Sequence, residues 1–235
     1  KRITPVTVHG TEYEEYANRD SLKYLSTYGL HGIRTMIRGT LRNAGYCSAW
    51  DVLVQLGCCD DGYTMGDVSE MTCRDFINSF LDFHPVQSAE EKLCNVFGLR
   101  TDGEVMQRLR WSGLFSTEKI GLSNGTPAQV LEHILNKRWK LVAGDKDMIV
   151  MWHRFKYMLG GVEKVITAHL RVFGEDEIQT AMAKTVGLPL GIATKLLLEG
   201  KINETGVCIP IHKNFYQPIL HELRELGIFM VEDET

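Results

Sequence analysis

The segment Thr180–Gly200, TAMAKTVGLPLGIATKLLLEG, is the most organised stretch of the sequence and decides the architecture of its C-terminal part. Ala183, Gly187 and Gly191 recur at every fourth position, which places three small residues along one ridge of a helix. Such a ridge lets another backbone approach closely, so we predict a largely buried helix. Pro189 lacks a backbone donor and favours a kink or a restart near Gly187, and the closing glycine is typical of a helix end.

Composition and charge indicate an ordinary globular protein. The 235 residues, 44% of them hydrophobic, are enough for one large domain or two small ones. A net charge of −4 argues against a general nucleic-acid binder, which is usually basic. No apolar run reaches the roughly 20 residues that span a bilayer, and Lys1 opens no signal peptide, so we expect no membrane partner.

The cysteines and histidines give no sign of a metal site. The six cysteines form no CxxC pair, and the eight histidines do not cluster at the spacing of metal ligands. We therefore predict no bound metal, and we expect reduced thiols in a cytoplasmic protein.

Residues 33–42 alternate with the period of a strand. Three arginines (Arg34, Arg38 and Arg42) fall on one side, opposite Ile33 and its apolar neighbours. The pattern predicts a half-buried strand with a cationic face. That face either binds an anionic ligand, because guanidinium groups hold carboxylates with two parallel hydrogen bonds, or carries solvated arginines that pair with neighbouring acids.

The middle of the chain is helical, and strands return after it. Helix-start signals occur at Thr72, at Ser88 with Glu91, and at Thr126-Pro127 with Gln129. Further on, residues 148–157 and 162–173 flank a Leu-Gly-Gly connection that is typical of a hairpin. We predict an α/β (α+β) fold in which residues 44–138 form a helical insertion lobe. The strand at 33–42 is expected to share one mixed sheet with strands at 147–157 and 162–172.

Five stretches carry a resemblance to a known family. AMAKTVGLPLGIATKLLLEGKI and the following TGVCIPIHKNFYQPILHELRELGI resemble the C-terminal end of saccharopine dehydrogenases of the L-glutamate-forming type. YANRDSLKY, IRGTLRNAGY and DKDMIVM extend the similarity upstream in the order of the family. The resemblance implies a mixed-sheet substrate-binding and dimerisation domain (1–43 and 139–175), the insertion lobe (44–138) and C-terminal helices (176–235). These helices would pack on the sheet or on the cofactor domain.

The resemblance also implies an activity. Proteins of this family oxidise saccharopine to glutamate and aminoadipate semialdehyde with NADP or NAD, or run the reverse reduction. No strand–GxGxxG–helix unit occurs in the sequence, so we expect an amino-terminal Rossmann domain, absent from these residues, to hold the nucleotide and the catalytic groups. The chain alone is then expected to be inactive, and its partners are saccharopine, that domain and a second copy in a homodimer.

The implied substrate contacts begin at Arg42, which matches the arginine of the family's GTLR motif. Further contacts are expected from the loop after the next helix, where the match rests on spacing: Tyr63, Thr64 and Met65. Residues that surround the substrate or have only structural roles, such as helix capping or an Arg38–Asp20 pair, are Asn18, Arg19, Asp20 and Arg38. The alternative function is a non-catalytic ligand-binding or scaffold module with the same fold.

Overall fold

The computed structural model describes residues 3–18 and 20–234. Within them the chain forms eight strands and eight helices. Their order is β1 (Ile3–Val8), β2 (Thr11–Ala17), α1 (Tyr24–Thr27), β3 (Gly39–Asn43), α2 (Tyr46–Leu56), β4 (Met65–Gly66), α3 (Cys73–Asn78), α4 (Ala89–Phe97), α5 (Glu104–Trp111), β5 (Asn124–Gly125), α6 (Pro127–Trp139), β6 (Met148–Leu159), β7 (Val162–Phe173), α7 (Ala181–Leu198), α8 (Lys213–Glu225) and β8 (Val231–Glu234).

The strands form three small sheets, with the orders β1-β2-β3, β4-β5 and β6-β7-β8. The predicted α/β (α+β) class is confirmed. The prediction that the strand near 33–42 shares a sheet with the later hairpin is wrong, because β3 pairs within the first sheet and β6 and β7 within the third. Alternation shows which residues share a face, but it carries no information about which strand lies alongside.

The strand predicted at 33–42 is shorter than expected, since β3 spans only Gly39–Asn43. β2 ends at Ala17, and the backbone N–H of Arg38 donates to the hydroxyl of Ser21 at 3.0 Å instead of to a ladder carbonyl. Gly32 adopts a left-handed conformation with φ of 83°, which bends the preceding loop. Arg34 and Arg38 therefore lie outside β3, and the predicted face of three arginines on one strand is wrong.

The described residues divide into two compact units. The first contains the described part of 1–6, together with Glu12–Glu15 and Arg42–Lys140. The second contains the described parts of Thr7–Thr11, Tyr16–Leu41 and 141–235. The division proposed from the sequence, with its assigned roles, stays a prediction.

Helices α2 to α6 build the first unit around one apolar core. Phe76, Leu93 and Met106 are among its completely buried side chains. The three predicted helix starts are confirmed as capping boxes at Thr72, Ser88 and Thr126. In each, the side chain of the cap residue accepts the backbone N–H three residues later, and the side chain of that later residue accepts the backbone N–H of the cap residue. These elements form where expected because a capping box is a local arrangement of four residues.

The second unit is built on the β6–β7 hairpin. Gly160 and Gly161 have φ values of 59° and 84°, so both turn residues are left-handed, as a two-residue hairpin turn of the favoured type requires. Leu159 pairs with Val162, and the antiparallel register continues from there to Met148 and Phe173. The predicted hairpin is confirmed, and β8 adds a third strand beside β7.

Helix α7 starts next to this sheet. The Asp147 carboxylate accepts the backbone N–H groups of Ala181 at 2.5 Å and Met182 at 3.0 Å, while the hydroxyl of Thr180 accepts that of Ala183. A carboxylate at a helix N-terminus is favourable because it meets unpaired donors and the positive end of the helix dipole. Gly174 must be a glycine, since a Cβ there would collide with the Asp147 carboxylate.

The predicted restart near Gly187 is absent, and the predicted close neighbour of the small residues is not found among the described residues. The helix runs without a restart from Ala181 to Leu198, with Pro189 inside it. One face packs against α8 through Ile192 and Leu196, but an added Cβ at Gly187 or Gly191 would meet no atom of the described residues within 4 Å. Small residues allow another backbone to approach a helix closely, but their presence does not show that such a backbone is there.

By length and composition alone, Ala181–Leu198 could also cross a membrane. One such helix is weak evidence for a membrane span, because the core helices of other proteins meet the same two criteria.

Candidate functional site

The predicted anchor Arg42 lies at the junction between β3 and α2. Asn43 ends the strand, and Gly45, with φ of 83°, precedes the first helical residue Tyr46. An added Cβ at Gly45 would lie 2.6 to 2.8 Å from the guanidinium atoms of Arg108. Glycine is therefore required twice here, by the left-handed backbone and by the close approach of Arg108.

The carboxylate of Glu14, on β2, closes the start of α2. One oxygen accepts the N–H of Gly45 and the other accepts that of Cys47, both at 2.8 Å. Partial burial favours the neutral acid, but these hydrogen bonds and the nearby charge of Arg108 outweigh it and hold the pKa of Glu14 below its usual value. Glu14 is therefore ionised at neutral pH and fixes the direction in which α2 leaves the strand.

Burial and the same carboxylate keep the neighbouring thiol protonated. Burial, followed by the hydrogen bond and the negative charge of Glu14, raises the pKa of Cys47 to about 11. A thiol in this state is a poor nucleophile near neutral pH. Cys47 is buried at the junction, where its raised pKa disfavours nucleophilic chemistry.

Arg108 supports the junction from α5. Its Nη2 donates to the carbonyl of Ala44 at 2.8 Å and to the Glu104 carboxylate. Its Nε is buried and has no hydrogen-bond partner among the described residues. The guanidinium thus fills the space that the missing side chain of Gly45 leaves open.

Arg42 itself is exposed, and its guanidinium carbon lies 5.2 Å from the ring centroid of Tyr46. Among the described residues Arg42 has no ion pair or side-chain hydrogen bond. Three other arginines of this unit are paired with carboxylates: Arg100 with Asp102, Arg108 with Glu104, and Arg110 with Glu90. The five N–H donors of Arg42 are therefore available to an anion.

Tyr46 belongs to a group of three aromatic rings. Tyr46 stacks on Trp50, with centroids 5.8 Å apart and an angle of 9° between the planes. Trp139, the last residue of α6, lies 6.4 Å from Tyr46 and 6.0 Å from Trp50. We call these three rings the aromatic cluster.

The other predicted substrate contacts lie in the same unit as Arg42. The side chain of Tyr63 is 49% exposed and that of Thr64 is also exposed. Met65 lies in β4, where it pairs with Gly125. No hydrogen bond, ion pair or ring contact of the described chain joins Arg42 to residues 63–65, so their role as substrate contacts stays a prediction.

Asn18 and Arg38 come together in the second unit. The backbone N–H of Asn18 donates to the carbonyl of Arg38, and its side-chain amide donates to the hydroxyl of Thr40, both at 2.9 Å. These bonds hold the chain that enters β3. Arg19, the next residue of the predicted set, lies outside the described residues.

The ion pair between Arg38 and Asp20 that the sequence suggested does not form among the described residues. Arg38 donates to the hydroxyl of Tyr24 at 3.3 Å and lies 5.7 Å from the centroid of its ring. Asp20 instead accepts the backbone N–H of Leu22, two residues further on. This local turn occupies one of the carboxylate oxygens that an arginine would need.

Sequence reasoning missed Glu14, Tyr46 and Arg108. Tyr46 follows Arg42 by four positions across a glycine-containing turn, and this spacing could have suggested a contact. Glu14 and Arg108 act across long stretches of chain, and no local pattern indicates either contact.

Two helix starts that follow a strand do not suit a nicotinamide nucleotide. Its pyrophosphate needs free N–H groups at the start of a helix that follows a strand through a glycine-rich turn. At the β3–α2 junction, Glu14 already occupies the N–H groups of Gly45 and Cys47. At the β5–α6 junction, the capping box of Thr126 and Gln129 fills the same place. We found no group of three or more metal-binding side chains within residues 3–18 and 20–234.

The fold and this junction define the class of protein. Residues 1–228 match the family model described as the Saccharopine dehydrogenase C-terminal domain, and the chain belongs to this family. Its relatives of known activity are oxidoreductases, and the chain corresponds to a part of each.

Three comparisons illustrate the relationship. The bovine mitochondrial alpha-aminoadipic semialdehyde synthase is 32% identical over 99% of this chain, which spans 26% of that protein. The Schizosaccharomyces pombe saccharopine dehydrogenase [NADP(+), L-glutamate-forming] is 27% identical over 93% of this chain, which spans 50% of it. The solved structure of apo saccharopine dehydrogenase (L-Glu forming) from Saccharomyces cerevisiae superposes with a TM-score of 0.84 at 28% identity and covers 99% of this chain. This chain spans 54% of that structure.

Proposed function

We propose that this chain is the substrate-binding C-terminal part of an NAD(P)-dependent saccharopine dehydrogenase of the L-glutamate-forming type, acting in lysine metabolism. The exposed guanidinium of Arg42, which has no ion pair among the described residues, carries the proposal. Relatives that span this chain are named for this activity, and the S. pombe relative for NADP.

Saccharopine suits such a site because it carries three carboxylates. Arg42 would hold one of them through two parallel hydrogen bonds, which fix both the position and the orientation of the group. Tyr63, Thr64 and Met65 would add backbone and hydroxyl contacts from the loop after α2. The nucleotide, NADP or NAD, would accept or supply the hydride when bound, and we assign it to an amino-terminal domain outside these 235 residues.

The remaining parts of the proposal concern assembly and location. We assign residues 1–43 and 139–175 to substrate binding and dimerisation, and residues 176–235 to packing on the sheet or on the nucleotide-binding domain. The working protein is then a cytoplasmic homodimer.

Kinetics of Arg42→Ala in the full-length protein test the proposal. Losing one partner of a desolvated charged pair typically costs about 2–5 kcal/mol, or roughly 30-fold to several-thousand-fold in affinity. We expect kcat/KM for saccharopine to fall by this order while KM for the nucleotide stays nearly unchanged.

Arg224→Ala is the matched control, because Arg224 also lies over an aromatic ring, that of Phe229, at 5.1 Å, and it is outside the residues assigned to substrate binding. It should leave the kinetics of saccharopine unchanged. A kcat/KM within threefold of the parent for Arg42→Ala would overturn the proposed role of Arg42. A full-length protein that binds saccharopine through Arg42 but shows no dehydrogenase activity would support the non-catalytic binding module instead.

A further inference from the structure

The ring of Tyr46, part of the aromatic cluster, lies against the long, exposed side chain of Arg42 and can restrict its direction. An unrestrained arginine side chain carries about 2 kcal/mol of rotamer entropy, part of which is lost when it binds a ligand. Contact with an aromatic ring restricts the side chain before the ligand arrives. It also consumes none of the five N–H donors, so the guanidinium keeps its full capacity for a carboxylate.

Tyr46 is well placed to act as such a support. It is the first residue of α2, and the backbone on either side of it is fixed by the Glu14 carboxylate. Its ring is held by stacking on Trp50, one helical turn further on, and by Trp139 from α6. The ring below Arg42 is thus anchored from two helices and from the strand that carries Glu14.

We propose that Tyr46 is a positioning residue for Arg42: its ring, held by Trp50 and Trp139, orients the guanidinium toward the substrate carboxylate. The proposal rests on the function proposed above. Tyr46 acts through Arg42 and does not itself need to touch the substrate.

Steady-state kinetics of two variants of the full-length protein test this role. Tyr46→Leu removes the ring and should raise KM for saccharopine about 3- to 30-fold, as expected for the loss of a cation–π support. KM for the nucleotide should not change. Tyr46→Phe keeps the ring and should stay within twofold of the parent. If Tyr46→Phe loses as much as Tyr46→Leu, the hydroxyl carries the effect and the proposal is wrong.

The double variant Arg42→Ala/Tyr46→Leu separates positioning from a general structural role. A residue that works through Arg42 has nothing left to position once Arg42 is gone, so the double variant should match Arg42→Ala alone. Additive losses would overturn the proposal. If Tyr46→Leu does not fold, Trp139→Leu takes its place, because it removes a neighbouring ring while leaving Tyr46 and Arg42 intact, and the same non-additivity is expected.

Fluorescence gives a second readout on the 235-residue chain itself. With Trp111→Phe and Trp152→Phe, only the two tryptophans of the aromatic cluster remain. Titration with saccharopine should then change their emission, and Arg42→Ala should abolish that change. An emission change that persists in Arg42→Ala would place the ligand elsewhere and overturn the inference.

The two proposals fail in different ways. If Arg42→Ala impairs the enzyme but Tyr46→Leu stays within twofold of the parent, only the positioning role is lost. If Arg42→Ala itself has no effect, the proposed function of this site fails and the positioning role fails with it.

Discussion

Glu14 and Gly45 are 31 positions apart, yet together they fix the backbone from which Arg42 and Tyr46 project. The pKa of Glu14 is lowered in the folded chain, because its two hydrogen bonds and Arg108 outweigh the effect of partial burial. A carboxyl group with a lowered pKa stabilises the fold above the pKa of its unfolded state. That contribution is lost as the pH falls through the folded-state pKa.

Replacing Glu14 by Gln tests this contribution. The amide has one acceptor oxygen in place of two and no charge, so the free energy of unfolding should fall by about 1–3 kcal/mol near neutral pH. Urea unfolding at about pH 7 and about pH 3.5 should show the difference from the parent shrinking in acid, because protonation of the carboxyl group removes the charge that the variant lacks.

Glu12→Gln on the same strand is the matched control, since Glu12 is exposed and makes no side-chain hydrogen bond within the described residues. It should change stability little. A loss for Glu14→Gln that is equally large at both pH values would show that charge plays no part in closing α2.

The elements show a clear division between features that local sequence predicts and features that it does not. Thr72, Ser88 and Thr126 cap their helices as predicted, because all the atoms involved lie within four residues. The alternating pattern predicted Arg38 within a strand, but β3 begins only at Gly39. A strand also needs a paired neighbour, and β2 ends at Ala17, before it could pair with a longer β3. By contrast, α8 starts after His212 without any side-chain cap, so no capping signal marks its first residue.

Gly187 and Gly191 offer a test of the exposed face of α7. Both are helical residues with free space around the position of a Cβ. Alanine restricts the unfolded chain and favours a helix, so Gly187→Ala should raise the free energy of unfolding by about 0.5–1 kcal/mol. The measurement is urea unfolding of the 235-residue chain.

Gly200→Ala is its matched control at the helix end. Gly200 also has free space, but its φ of 69° is left-handed, so alanine there should destabilise the chain. Destabilisation by Gly187→Ala would show that a neighbour covers the ridge of small residues in solution.

At the scale of the whole molecule, the family could be identified from the sequence because the resemblance runs through most of the chain in order. The same resemblance led to Arg42 but not to Tyr46 or Glu14, which no quoted motif singled out. The partition of strands into three sheets was missed, since period-two patterns are compatible with many pairings.

Nucleotide binding is the sharpest test at this scale. Calorimetric titration of the 235-residue chain with NADPH or NADH should give no heat of binding, because Glu14 and the capping box at Thr126 occupy the helix starts that a pyrophosphate would need. Saccharopine titrated into the same sample is the positive control. Tight binding of either nucleotide to this chain would contradict the assignment of the cofactor to another domain.

The two-residue turn at Gly160 and Gly161 has a consequence for the order in which the chain folds during synthesis. Its ends need almost no loop closure, and isolated hairpins form in about 1–10 μs, far faster than a ribosome adds one residue. By contrast, β4 and β5 pair Met65 with Gly125 only after most of the first unit has been made. The β6–β7 pair, the longest among the described residues, therefore depends on no earlier sequence for its pairing and can form as soon as Phe173 leaves the ribosome.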